Sequence, residues 1–266
     1  MMEYGFNEAT SFESFMTKIA KKVGSVGASK MVVKMHGEDA LGSDSLEVVD
    51  VTAVYEEGSE DVVVEPDFTQ GEVVLTSNYA PKKPIVISGV DTVLSLNGKN
   101  ITAPLFAESN GEALEGDSDS YGLWVKDGSL TIEGEGEVVA QDATYSMAVW
   151  ANGGTVTIKG GTFRNGGDSC DLIYASAGGN VVIEGGEFFP AGPASGTAPG
   201  TKNPYTALNV KDKDYKSGVS SIVVKGGKFH NFNPANNVSE GENTNFVAEG
   251  YKAVEVEPNV WEVMPE

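Results

Sequence analysis

The stretch GGTVTIKGGTFRNGG, residues 153–167, is too rich in glycine for a helix and too short for a domain, yet it recurs in variant form along the chain. Its core VTIKGGTF at 156 has relatives in LTIEGEGEV at 130, VVIEGGEF at 181 and IVVKGGKF at 222, with LSLNGKNI at 94 as a fainter first copy. Aligning Ile132, Ile158, Ile183 and Val224 gives spacings of 26, 25 and 41 residues. The strand upstream repeats independently, because YGLWVKDG and MAVWANGG align Trp124 with Trp150, again 26 apart. Two separate landmarks on one period call for a solenoid in which each coil stacks on the next.

A coil of about 25 residues with three short strands and glycine corners is the unit of a right-handed parallel β-helix, whose strands stack in register at roughly 4.8 Å. The two-residue alternation of a strand then turns Val156 and Ile158 inward and Thr157 and Lys159 outward. The pattern predicts internal rows: Leu130, Val156, Val181 and Ile222; Ile132, Ile158, Ile183 and Val224; and an aromatic row of Phe163, Phe188 and Phe229. Outside, Lys159, Glu184 and Lys225 alternate in sign up the stack, so that each is expected to pair with its neighbour on the next coil and to favour this register over a slipped one. Glycine pairs at 160–161, 185–186 and 226–227 mark a corner that needs positive φ. Three polar insertions, residues 107–120, 190–204 and 233–245, follow the aromatic strand of successive coils and are expected to build a ridge of loops along one edge, a natural recognition surface.

Composition agrees with an all-β chain: 33 glycines in 266 residues, and valine and isoleucine in short runs. With 18 basic against 39 acidic side chains the net charge is −21, a field that repels phosphate backbones and anionic lipid and excludes nucleic acid and membrane surfaces as partners. The single cysteine, Cys170, permits no intrachain disulfide and reads as a small core residue. Residues 1–30 contain no uninterrupted apolar stretch of signal-peptide type, and no later segment is apolar over 18 residues, so neither export through a general secretory signal nor a membrane span is expected.

Residues 1–90 read as an N-terminal anchor or cap, and residues 91–266 as the solenoid with a C-terminal capping coil. The anchor carries the one helical pattern, over residues 7–24, where Phe12, Phe15, Met16, Ile19 and Val23 make an apolar stripe. Lys18, Lys21, Lys22, Lys30 and Lys34 form a basic island free of acidic residues. The stripe has two uses, hiding the first coil or docking onto a partner, and the lysines would steer docking toward an acidic surface. Short strands follow at KMVVKM, LEVVDVTAVY, DVVVE, EVVLT and PIVIS.

The coil pattern over roughly residues 90–250 resembles the pectin-lyase-like family of right-handed β-helices, a fold shared by polysaccharide lyases, glycosidases, surface adhesins and phage tailspikes; this resemblance implies fold and not function. The closing NFVAEGYKAVEVEPNVWEVMPE looks like the ending common in bacterial and phage β-helix repeat proteins, which implies a last coil that covers the exposed edge. The order of anchor then solenoid, without signal peptide or disulfide, resembles phage head-fibre and tailspike proteins, which implies a trimer.

Chemistry is sparse. The first-strand positions YGLWV, SMAVW, LIYA and ALNV are apolar or aromatic, no acid pair falls on adjacent coils at one such position, and the Asn-Thr-Asp, Asp-Asp, Gly-His-Gly and Arg-Ile-Lys pattern of polygalacturonases is absent. His230 reads as a turn residue. Asp117 with Asp119, and Asp212 with Asp214, do not match the spacing of a dedicated calcium loop and read as solvated acids, so no metal and no cofactor is expected. If Leu123, Val125 and Val149 point inward, Trp124 and Trp150 point outward and stack. They form either a sugar platform or a surface buried between protomers or under a loop, which Tyr121, Tyr145 and Tyr205 would extend. The sequence thus predicts a non-enzymatic virion protein: a capsid- or tail-attached fibre or spike, homo-oligomeric, displayed on the outside of a phage particle, with a host-surface glycan as potential ligand. The alternative is a secreted or cell-surface bacterial protein that binds or degrades carbohydrate.

Overall fold

The computed structural model describes residues 31–34, 50–53, 65–110, 112–166, 171–192 and 206–266. The chain divides into two compact units, Met1–Val64 and Glu65–Glu266. In the first unit β1 (Met31–Lys34) and β2 (Asp50–Ala53) form an antiparallel pair, in register Met31 to Ala53 and Lys34 to Asp50. The helix expected over residues 7–24, including Phe12, Phe15, Met16, Lys18, Ile19, Lys21 and Lys22, lies outside the described residues, as do Lys30, Cys170 and Tyr205.

The second unit is a parallel β-helix. Sheet 1 stacks β3 (Glu72–Val74), β5 (Asp91–Ser95), β9 (Ser129–Glu133), β12 (Thr155–Ile158), β15 (Asn180–Ile183) and β18 (Ser221–Val224). Sheet 2 stacks β6 (Lys99–Thr102), β10 (Gly136–Val139), β13 (Thr162–Arg164), β16 (Glu187–Phe189) and β19 (Lys228–His230), then ends on β21 (Val260–Pro265) and β20 (Tyr251–Glu257). Sheet 3 stacks β4 (Ile85–Ile87), β8 (Glu112–Val125), β11 (Tyr145–Asn152), β14 (Asp171–Ser176) and β17 (Thr206–Val210). Each coil visits the three sheets in turn. Because β3 and β4 already pair in parallel with β5 and β8, stacking begins upstream of residue 91, where the regular repeat first becomes legible.

The predicted rows are present. Leu130, Val156, Val181 and Ile222 pair in register, as do Ile132, Ile158, Ile183 and Val224. All eight are buried, in one core with Phe163, Phe188 and Phe229. Those three rings stack nearly parallel, with centroids 5.2 and 4.6 Å apart. The faint first copy is offset: Leu94 pairs with Ile132 and Thr92 with Leu130, so β5 begins two residues earlier than the repeated phrase suggests. A two-residue shift keeps every side chain on its own face, which is why alternation alone does not reveal it.

The glycine pairs serve two separate needs. The second member of each takes positive φ: 93° at Gly161, 98° at Gly186 and 101° at Gly227. The first member is excluded by the coil beneath it, since a Cβ on Gly185 would lie 2.5 Å from the Lys159 carbonyl oxygen. Two of the three insertions fall, apart from residue 111, among the described residues and are structured, while residues 193–204 of the third lie outside them. Within 107–120, β7 (Phe106–Ser109) pairs antiparallel with the first half of β8, so the expected loop is a β-hairpin. Residues 233–245 fold over the C-terminal end, held by an Asn237–Thr244 bridge, and Val247 pairs with Val224 at the end of sheet 1. The closing stretch is not a further parallel coil; β20 and β21 are an antiparallel hairpin, and β21 runs antiparallel to β19, covering the edge of sheet 2. A short helix α1 (Asp212–Ser217) stands between β17 and β18 and ends at Gly218, φ 70°.

Candidate functional surface on sheet 3

Sheet 3 turns Leu123, Val125, Val149 and Ala151 into the core, and the residues between them outward. Trp124 and Trp150 therefore face away from the core at one register position, and their indoles stack 4.9 Å apart and 8° from parallel. They are not an open platform. Trp124 is fully buried, in a second apolar cluster with Phe106, Tyr121 and Met147, against which Trp150 and Tyr174 pack.

The cover comes from the β7–β8 hairpin. It brings Phe106 edge-on to Tyr121 (4.9 Å), whose ring in turn meets Trp124 (5.6 Å) and Trp150 (5.0 Å) edge-on. Lys126 places its ammonium 4.3 Å from the centroid of Trp124. Tyr174, on the next coil, lies 6.3 Å from Trp150. Stacking along the solenoid axis thus uses the faces of the rings on one another and turns their edges outward. A pyranose needs a free ring face, so the indole pair is built for packing.

Polar groups hold the cover in place. Asp119, expected in a solvated loop, is buried: its Oδ1 accepts the Tyr121 hydroxyl (2.7 Å) and its Oδ2 accepts the Glu108 N–H (2.9 Å) and the Ser118 hydroxyl (2.6 Å). Burial first, and then the bond to Asp119, hold the Tyr121 phenol well above its usual range. Asp117 is exposed, as expected. Trp150 Nε1 donates to Ser176 Oγ at 2.9 Å, whereas Trp124 Nε1 is buried with no partner among the described residues. Tyr145 is 55% exposed at the start of β11.

Toward the C-terminal end the same face becomes acidic. Asp171, masked in the sequence by its apolar neighbours in DLIYA, is buried and accepts from Asn209 Nδ2 (2.6 Å) and Thr206 Oγ1 (3.3 Å). Glu240 reaches back from the end loop, and its Oε1 accepts the Val210 N–H at 2.6 Å on β17, the last strand of the sheet. Burial, reinforced by the charges of Asp212 and Asp171, raises the Glu240 carboxyl to about 7. Asp214 accepts the Ala177 N–H at 2.6 Å, and Asp212 pairs with Lys216 at 3.4 Å.

His230 is a strand residue and not a turn residue. On the outer face of sheet 2 it stacks on Phe189 (3.9 Å) and bonds Glu187 (2.6 Å), while Arg164 lies over the other end of the column, 3.8 Å from the Phe189 centroid and 2.5 Å from Glu137. Sequence reading placed Asp119 in solvent and missed Phe106, Met147, Asp171, Tyr174 and Glu240. Only Tyr174 left a signal, since it follows Trp150 in the same outward row. Comparison with protein-family models, with curated proteins and with solved structures finds no match to this chain.

Proposed function

We propose that this chain is a non-enzymatic β-helical appendage, a fibre or spike of a phage particle, joined to capsid or tail through its N-terminal unit and carrying the solenoid outward. The right-handed, pectin-lyase-like resemblance of the coils and the order of anchor before solenoid support this reading. The observation that carries it is that outward side chains are engaged with one another along the stack: the Trp124–Trp150 pair under its hairpin and the Arg164–Phe189–His230 column. Side chains committed to their neighbours make a stiff rod, and recognition of a host-surface glycan then falls to the looped edge. A trimer is the assembly that the resemblance implies. Mass spectrometry and immunogold electron microscopy of particles purified from a lysate encoding this chain test the proposal. Stoichiometric chain at the particle periphery is the expected result, and chain recovered only outside particles overturns it.

A second reading, carbohydrate degradation by a secreted or surface protein, has one observation in its favour. Glu240, raised to about 7, lies close enough to Asp171 to feel its charge, and a carboxyl poised near neutral pH with a second acid nearby is what acid–base cleavage of a glycosidic bond requires. Release of reducing ends or unsaturated sugars by the wild-type chain, abolished in Glu240→Gln, would establish it.

A further inference from the structure

The outer face of sheet 1 carries two columns that neither the core nor the aromatic cluster uses. Val93, Thr131, Thr157, Val182 and Val223 fall at one register position on successive strands, a flat β-branched strip without charge. Beside it, Glu133 at the end of β9, and Lys159, Glu184 and Lys225, the residues that directly follow β12, β15 and β18, continue the ladder at another position, each of the last three donating its N–H to the coil below. The signs alternate, so this column is neutral in a chain of net charge −21. The expectation that these charges pair along the ladder is not met: among the described residues no ion pair joins any of the four to another residue. Lys159, Glu184 and Lys225 are exposed.

We infer that this face is a contact surface between two copies of the chain, packed antiparallel about a twofold axis that runs along the strands between β12 and β15. That operation lays each column over itself in reverse order. Glu133 then faces the second copy's Lys225, and Lys159 faces the second copy's Glu184; all four positions meet an opposite charge at once. The β-branched strips meet in the same way, Thr157 against Val182 and Thr131 against Val223. A parallel pairing would instead lay the charged column over Ser129, Thr155, Asn180 and Ser221, hydroxyls and an amide of which Ser129 and Ser221 already bond along the stack to Asp91 and Asn180. Only the antiparallel arrangement satisfies the charges. Four strands at about 4.8 Å by three outward positions give a few hundred Å² per copy, below the roughly 800 Å² of a standard interface, so the dimer is weak and concentration-dependent.

Sedimentation equilibrium of the full chain from micromolar to sub-millimolar concentration at low salt reads this directly. A monomer–dimer equilibrium that weakens with added salt is expected. Lys159→Glu or Glu184→Lys alone turns two symmetry-related attractions into repulsions and weakens association about tenfold or more. The double variant Lys159→Glu/Glu184→Lys writes the ladder as two negatives then two positives, which is again self-complementary on reversal, and association returns to near the wild-type strength. Circular dichroism and melting temperature hold folding constant, since all these side chains lie outside the core. A monomer at every concentration, single reversals without effect, or a double variant that folds but does not recover would each overturn the inference. A trimer indifferent to these reversals, with no further association that responds to them, would do so too, because the sheet 1 charges would then have no part in assembly.

Discussion

Replacing Gly185 with alanine tests how the coils are spaced. The added Cβ would lie 2.5 Å from the Lys159 carbonyl oxygen and 3.2 Å from its carbonyl carbon, both backbone atoms of the coil below, whereas ordinary contact begins at 3.4 Å. Two stacked backbones therefore have to part by nearly 1 Å at a point where Glu184 and Gly185 both donate to the Ile158 carbonyl, at 2.7 and 3.2 Å. Overpacking against backbone with weakened ladder bonds is worth about 2–4 kcal/mol. Gly218, the C-cap of α1, is the control: it has φ of +70° but nothing within 4 Å of its Cβ position. Gly218→Ala meets only the left-handed backbone penalty, about 1 kcal/mol. Urea unfolding of the two full-length variants, followed by far-UV circular dichroism, should rank Gly185→Ala clearly below Gly218→Ala, with melting points about 5–12 and 2–4 °C below wild type. Equal or reversed costs would refute the reading of the first glycine of each pair as a contact between coils.

The core row gives a larger effect. Phe188, fully buried between Phe163 and Phe229, should cost about 3–5 kcal/mol when cut to alanine, and Phe188→Leu less than half as much, as read by the same unfolding assay. Asp119→Asn keeps shape but weakens the acceptor that holds the Tyr121 hydroxyl and the Glu108 N–H; a loss of about 1–3 kcal/mol and a reduced near-UV signal from the Trp124–Trp150 stack are expected. Glu240 predicts a pH effect. Its carboxyl is raised from 4.5 to about 7, so the folded chain holds this proton more tightly than the unfolded one. The stability this contributes is present in full below pH 4.5 and lost as pH rises through 7. For a half-buried group screened by solvent it amounts to about 1–2 kcal/mol, and melting curves across that window should show a slope that Glu240→Gln flattens.

What could be read from the amino acids follows from how a solenoid is built. A residue such as Val156 meets its equivalents one coil away, Leu130 and Val181, so contacts are short in sequence and equal side chains recur at equal spacing. The rows of sheet 1, the phenylalanine stack and the indole stack were legible for this reason. The hairpin over the indoles was not, because GEALEGDSDS has the composition of a solvated loop; the strand emerges only when Asp119 meets Tyr121 and Glu108. Asp171 and Glu240 were hidden for a related reason, since each acts through partners 30 to 38 residues away in segments that do not repeat. The charge ladder of sheet 1 was legible as a pattern but misread as pairs within the chain.

Ladders also constrain where recognition can occur. A ring stacked along the axis, as Trp150 is on Trp124 with Tyr174 tilted against it from the next coil, offers solvent an edge more than a face. Edges pack well against an apolar cover, which the β7–β8 hairpin supplies, and poorly against a sugar ring. Recognition by this molecule is therefore pushed toward groups outside the ladders or unpaired within them. Tyr145 belongs to the first kind, exposed at the mouth of β11 beside the looped edge. The sheet 1 charges belong to the second, because a column of alternating sign without internal pairs is complementary to its own reverse. The two surfaces use different chemistry and separate experimentally: under the proposed adhesive role, Tyr145→Ala should change glycan binding and leave sedimentation untouched, and Lys159→Glu should do the opposite. A chain in which either substitution altered both properties would mean that assembly and adhesion share one surface, against the division of labour that the stacked side chains imply.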